Sequence, residues 1–272
     1  MRKVILVLFI IVIISQKTYA QNNCDTALFD KATDYLQAQS FDSSIALFSQ
    51  VIEKCPAFTV AYLNRGIGYY YINDTGKANA DFAMAIKVAK ARFKITMMIA
   101  STLFQFEKYG DAYRYFNQAS GIRPGEAEPW FKMGRCLWLG RIPVLLNKYK
   151  GDYTLDPEYK SHLKKDILTL FDKATSLDST SNYEYFYYKG MFYSNFNDNR
   201  EALQNFEKSL EIHPVIKAYK FCAELCKLLK LNDKACEYIN QWAVLGNPQE
   251  EMNAFEKKEY AEKFCAELGI KK

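Results

Sequence analysis

Residues 184–214 read EYFYYKGMFYSNFNDNREALQNFEKSLEIHP. Within this stretch Gly190 and Ala202 are small residues twelve apart, and the large apolar Phe206 follows four later, with Phe186 and Tyr193 around the glycine and Pro214 behind. Two helices approach closely only where neither presents a bulky side chain, so a small residue on each marks the crossing point. The large residue one turn on fills the space beside it. Asn197-Asp198 supplies a turn between the helices, and Pro214 closes the second helix without harming the next. The stretch is predicted to be an antiparallel helical hairpin.

The same offsets run outward from it in both directions. The small residues opening each unit are Ala32, Gly66, Ala100, Gly134, Gly190 and Ala223, at steps of 34, 34, 34, 56 and 33. Ser44, Ala78, Ala112, Ala202 and Ala235 each fall twelve later, and Phe48, Phe82, Phe116, Phe206 and Ile239 four after those. Pro56, Pro124 and Pro214 close the first, third and fifth units, and Asn73-Asp74 marks the turn of the second. A period near 34 signals helical hairpins that bury their apolar faces by stacking.

With its aromatic-x2-Lys-Gly-x2-Tyr opening, then Ala, Phe and Pro, the stretch resembles the tetratricopeptide repeat family. The resemblance covers about residues 25 to 248 and is weakest in unit one, where Leu28 and Lys31 replace the usual aromatic and leucine. It implies an all-α fold, a right-handed α-solenoid of about six hairpins near 25–58, 59–92, 93–126, 127–181, 183–215 and 216–248. Residues 249–268, apolar at Met252, Phe255, Tyr260, Phe264 and Leu268, read as a capping helix with a polar outer face.

Unit four departs from the period. Trp130-Phe-Lys-Met133-Gly134 opens it well, but the large residue Phe171 follows Gly134 by 37 positions instead of 16. The 21 extra residues are placed at about 140–160, with Pro143 expected to stop the first helix and the Gly151-Asp152 and Asp156-Pro157 turn signals to keep the rest irregular. Insertions in such arrays map to one face, often the binding face.

Arg2 and Lys3 precede an unbroken apolar run, Val4–Ile14, and then a polar stretch ending Thr18-Tyr19-Ala20. This reads as a cleavable secretory signal, residues 1–20, too short to span a bilayer. The implied address is periplasmic or extracellular, with membrane association open. Removal of the signal leaves 33 basic against 31 acidic residues, a net charge of only about +2. With no basic cluster apparent, nucleic acid is not an expected partner.

Catalytic motifs are absent from the sequence: no phosphate-cradling loop, paired carboxylates or nucleophile elbow, and two histidines, His162 and His213, in different units. An enzyme, a small-molecule substrate, a cofactor and a metal site are all unexpected, Cys222 and Cys226 having no histidine near them. The hairpin register brings Cys24 and Cys55 to one end of unit one, and Cys222 opposite Cys236 in unit six. Both pairs are candidate disulfides, or else buried core thiols.

The resemblance implies a concave groove lined by set positions of the first helices. Here they are Phe29, Leu63, Ile67, Tyr70, Tyr71, Met97, Phe104, Phe131, Arg135, Trp138, Tyr187 and Met191. The Lys and Asn that clamp a terminal carboxylate in some members are replaced in unit one by Phe29 and Thr33. Aromatic side chains suit a protein or peptide partner. The leading expectation is a non-enzymatic interaction module in an exported or envelope complex. The alternative is a scaffold or self-associating subunit whose groove is filled by its own insertion.

Overall fold

The computed structural model describes residues 24, 26–145, 157–245 and 253–270. Thirteen helices and no strand occur among them. They fall into two compact bodies divided between Asp156 and Pro157. The predicted signal, residues 1–20, and the stretch 146–156 of the predicted insertion lie outside the described residues.

In the first body α1 (Thr26–Gln37) pairs with α2 (Phe41–Lys54), α3 (Thr59–Tyr71) with α4 (Thr75–Val88), and α5 (Arg92–Gln105) with α6 (Tyr109–Ile122). Helix α7 (Ala127–Leu145) packs on α6. The second body opens with α8 (Pro157–Leu177), followed by the hairpins α9 (Tyr183–Ser194) with α10 (Asn199–Ile212) and α11 (Ile216–Leu228) with α12 (Asn232–Val244). Helix α13 (Ala254–Glu267) packs on α12 and begins with a capping box between Asn253 and Glu256.

The columns of the sequence are the packing contacts. Every residue of the small and large columns, from Ala32 to Ile239, is buried. At the first crossing the Ser44 hydroxyl donates to the Ala32 carbonyl at 2.9 Å, so the two small positions touch. A Cβ added at Gly66 would lie 2.7 Å from the Phe82 ring and 3.2 Å from the Ala78 carbonyl oxygen, the equivalent contact in unit two. Between hairpins one and two, Arg65 joins three helices. Its Nε and a terminal nitrogen donate to both oxygens of the buried Asp81 carboxylate at 2.8 and 2.7 Å, and the other terminal nitrogen donates to Ser49 at 3.0 Å.

Five of the first helices leave through one kind of turn. Gln39, Asn73, Glu107, Asn197 and Lys230 all have φ between 58° and 64°, and the next residue donates its amide to the carbonyl five back, as Asp74 does to Tyr69. This is the Schellman ending, which satisfies carbonyls that a helix terminus leaves open. Unit four has no such turn at Arg141, one period after Glu107. Helix α7 runs on through Pro143 to Leu145, so the expectation that this proline ends the helix is corrected. Pro143 lies within the last turn, where its missing N–H removes one bond and leaves the preceding ones intact. The predicted irregular segment is shorter at its other end as well, because α8 starts at Pro157, a first-turn position that tolerates proline.

Cys24 and Cys55 are joined, with Cα atoms 5.8 Å apart. The second predicted pair is corrected: Cys236 bonds Cys265 of α13, Cα to Cα 5.2 Å, while Cys222 stays a buried thiol. A second helix faces both its hairpin partner and the element that follows it. Cys236, one place past the crossing residue Ala235, meets that element. The cap is also packed differently from its apolar pattern: Ala261, Phe264 and Cys265 are buried, as is Lys257, whose ammonium lies 5.2 Å from the centre of the Trp242 ring. Phe255 is 75% exposed.

Candidate interaction surface

The twelve predicted groove residues divide by burial. Phe29, Leu63, Ile67, Met97, Phe131 and Trp138 are less than 9% exposed, so these six are core and not a free surface. Phe29 shows why: its ring centre lies 5.5 Å from that of Phe48 in the partner helix and 4.9 Å from that of Phe58 at the start of the next hairpin. A first helix of a stacked hairpin is contacted from two sides, and the family positions do not allow for how far the neighbour reaches.

Six predicted residues keep some access. In the second body Tyr187 is half-buried, edge-on to Phe206 at 5.6 Å, and Met191 packs at the margin of the same core. Phe206 in turn stacks on Phe221, which is 37% exposed. In the first body Phe104 is half-buried, with its ring edge-on to Tyr109 at 5.4 Å and the Arg135 guanidinium 5.0 Å from its centre.

The remaining two, Tyr70 and Tyr71, belong to a continuous strip of rings along the turn ends of three hairpins. Tyr71 is 42% exposed and stacks on Phe41 at the start of α2, with centres 4.5 Å apart and planes within 9°. Its other neighbour is Phe106, just past α5, edge-on at 4.9 Å. Phe106 also stacks on Tyr70 at 6.2 Å. The Tyr70 hydroxyl donates to Asp111 Oδ2 at 3.0 Å, and burial together with this bond to a carboxylate pushes the phenol up to about 12. It therefore stays a neutral donor throughout the ordinary pH range. Ile72, also 42% exposed, extends the apolar surface.

Phe41, Ile72 and Phe106 were not predicted as surface residues. A signal for two of them is present in the sequence, since Ile72 and Phe106 are one 34-residue period apart. The arrangement offers stacking and apolar contact, and no group of His, Cys, Asp or Glu that could hold a metal occurs among the described residues.

No family model matches the sequence. The crystal structure of the C-terminal part of a TPR repeat-containing protein from Cytophaga hutchinsonii superposes with a TM-score of 0.51, at 16% identity, covering 79% of this chain and 77% of that one. The fold is that of the tetratricopeptide repeat. PilF of Pseudomonas aeruginosa, with a TM-score of 0.48 and 13% identity, is matched over 88% of this chain and 96% of that chain. By sequence, the chain is 26% identical to rat serine/threonine-protein phosphatase 5 over 122 residues, 45% of this chain. It spans 24% of the length of that relative, so the phosphatase activity does not carry over with the match.

Proposed function

We propose that this chain is a non-enzymatic interaction module that holds a protein or peptide partner, engaging it through the ring strip of Phe41, Tyr71, Ile72 and Phe106. The observation that carries the proposal is the strip itself: rings from three successive hairpins in contact, Phe41 stacked on Tyr71 and Phe106 edge-on to it, with the central one 42% exposed. Aromatic side chains on a rigid support bury large area at little entropic cost, which is why they dominate interface hot spots. The fold supports the reading, because stacked hairpins present such rows on pre-organised helices.

The same proposal places the protein outside the cytoplasm, exported by the cleavable segment 1–20 to a periplasmic or extracellular site, in an envelope complex. Two disulfides among seven cysteines support an oxidising compartment. Among the described residues no helix is long and apolar enough to cross a membrane.

The test is affinity capture from the native envelope with the mature chain as bait. Tyr71→Ala with Ile72→Ser, both at exposed positions, should leave the far-ultraviolet circular dichroism unchanged and remove the specific partner. Loss of two such contacts corresponds to about 30-fold or more in affinity. Capture undiminished by these changes refutes the strip as the binding surface.

The second reading, a self-associating scaffold, is favoured by one observation: half of the predicted groove is buried by the chain itself. Sedimentation of the purified chain over a range of micromolar concentrations separates the two. A monomer throughout supports partner binding, and reversible association supports the scaffold.

A further inference from the structure

The sequence shows no basic cluster at first reading, yet the fold makes one. Between Asp81 and Glu107 the chain carries Lys87, Lys90, Arg92 and Lys94 and no acidic residue. This run straddles the join between α4 and α5, where a crevice of about 370 Å³ opens between α4 and α6. Its wall brings Arg114 of α6 to Lys87 and Arg92, beside the apolar Ala83 and Ile86 and the ring of Tyr115.

The three cations are only partly satisfied within the body. Arg92 Nε makes one long bond, 3.4 Å, to the Ile86 carbonyl. Arg114 spreads one terminal nitrogen over Asp111 Oδ1 and Asn79 Oδ1 at 3.0 and 3.1 Å, and its guanidinium packs 5.4 Å from the centre of the Tyr115 ring while its side chain stays 58% exposed. Lys87 is exposed. Nearby, Arg123 lies 4.7 Å from the Phe93 ring centre and bridges to Glu126 at 3.3 Å, as Arg114 does to Asp111 at 3.0 Å, so the crevice's positive charge without a carboxylate partner among the described residues sits on Lys87 and Arg92.

We infer that this crevice receives an acidic side chain and a neighbouring apolar residue from a protein partner. A guanidinium fork and an ammonium converging on a hollow suit a carboxylate, since charge-assisted bonds of this kind are the strong ones. The apolar floor of Ala83 and Ile86 gives an adjoining aliphatic side chain a place to be buried. The hollow has the size of a pocket for a single compact ligand group. A nucleic acid would need a longer basic track along the surface, and the mature chain, with a net charge of about +2, has little positive charge in excess to supply one. The crevice shares no residue with the ring strip, so either site can fail without the other.

The experiment uses the full mature chain and fluorescence anisotropy with three labelled probes. These are an octapeptide alternating Glu and Leu, the same peptide with Gln for Glu, and a single-stranded DNA of equal charge. The acidic peptide is expected to bind, to weaken as salt is raised, and to lose about tenfold or more in affinity in the double variant Lys87→Gln, Arg92→Gln. Both positions are exposed, and thermal melting of the variant verifies the fold. A control, Lys31→Gln with Lys77→Gln, should bind as the parent does. Equal binding of the Gln peptide, equal loss in the control, tighter binding of the DNA, or no binding of the acidic peptide would each overturn the inference.

Discussion

Gly66→Ala is the most discriminating single change in this protein, because two opposing effects of similar size meet at one atom. In a helix interior Ala is favoured over Gly by about 1 kcal/mol. Against that, the new Cβ would stand 2.7 and 2.8 Å from two carbons of the Phe82 ring, with the Ala78 carbonyl oxygen 3.2 Å away. Overpacking of this kind costs about 1–3 kcal/mol. Relief requires the hairpin to widen or Phe82 to leave its place, and Arg65 holds α3 to α4 through Asp81. The expected net effect is a loss of about 1 kcal/mol, the middle of a range from zero to about 2. At the equivalent Gly190 the nearest Phe206 carbons lie at 3.1 Å, so a shift of a few tenths of an ångström suffices and propensity offsets it. Gly190→Ala is expected to be neutral or slightly stabilising. Urea denaturation followed at 222 nm reads both, with the Gly66 variant about 0.5 M lower in midpoint for a slope of about 2–3 kcal/mol/M. Units one and three hold Ala32 with Phe48 and Ala100 with Phe116, so the clash at Gly66 comes from where the Phe82 ring sits, and unit six shows a smaller residue in that place, Ile239 with Ala223. Phe82→Ile should therefore cost less in the Gly66→Ala background than alone. The reasoning is refuted if Gly66→Ala is as stable as Gly190→Ala, or if Phe82→Ile gives no rescue.

Replacing both Cys24 and Cys55 by Ala opens a loop with a sequence separation of 31, which the chain-entropy estimate values at about 3–4 kcal/mol. Amide exchange should show α1 losing protection first, while the second body is unchanged. Glu107 holds φ 60° without being glycine, so Glu107→Gly should raise the stability of the first body by about 1 kcal/mol, read as a higher thermal midpoint. Burial pushes the Cys136 and Cys226 thiols up, to about 12 and about 11, and raises Cys222 as well. The thiolate is the reactive form. Native protein at pH 8 should thus resist alkylation, while unfolded, unreduced protein takes up label at those three positions. Label at Cys236 or Cys265 in the unreduced protein would contradict their bridge.

The hairpin array was legible because its determinants are local in sequence: a small residue, a second small residue and a large one at fixed spacing are themselves the contacts, as Ala32 and Ser44 show. Turns at Asn73 and Asn197 were legible for the same reason, since asparagine tolerates a left-handed backbone. Gln39, Glu107 and Lys230 adopt that backbone because closing the hairpin demands it, and nothing in their side chains announces it. The exposed surface was harder to read. Whether Phe29 or Tyr71 faces water depends on what the following element covers, a fact outside any one repeat. The same holds for Cys236, whose partner Cys265 lies in the next element. The crevice is non-local in the same way: Arg114 joins Lys87 and Arg92 only where α6 packs beside α4.

The two disulfides enclose sequence separations of 31 and 29, each close to one repeat, and they lie at the first and the last described helices. Under tension each bridge removes its loop from the extensible chain, hiding roughly 100 Å of contour at about 3.4 Å per residue. A molecule pulled from its two ends would transmit force past both loops straight into the interior hairpins. In the oxidised protein a force trace should be shorter than in the reduced one by about 200 Å, and it should begin with the rupture of an interior repeat instead of the peeling of a terminal helix.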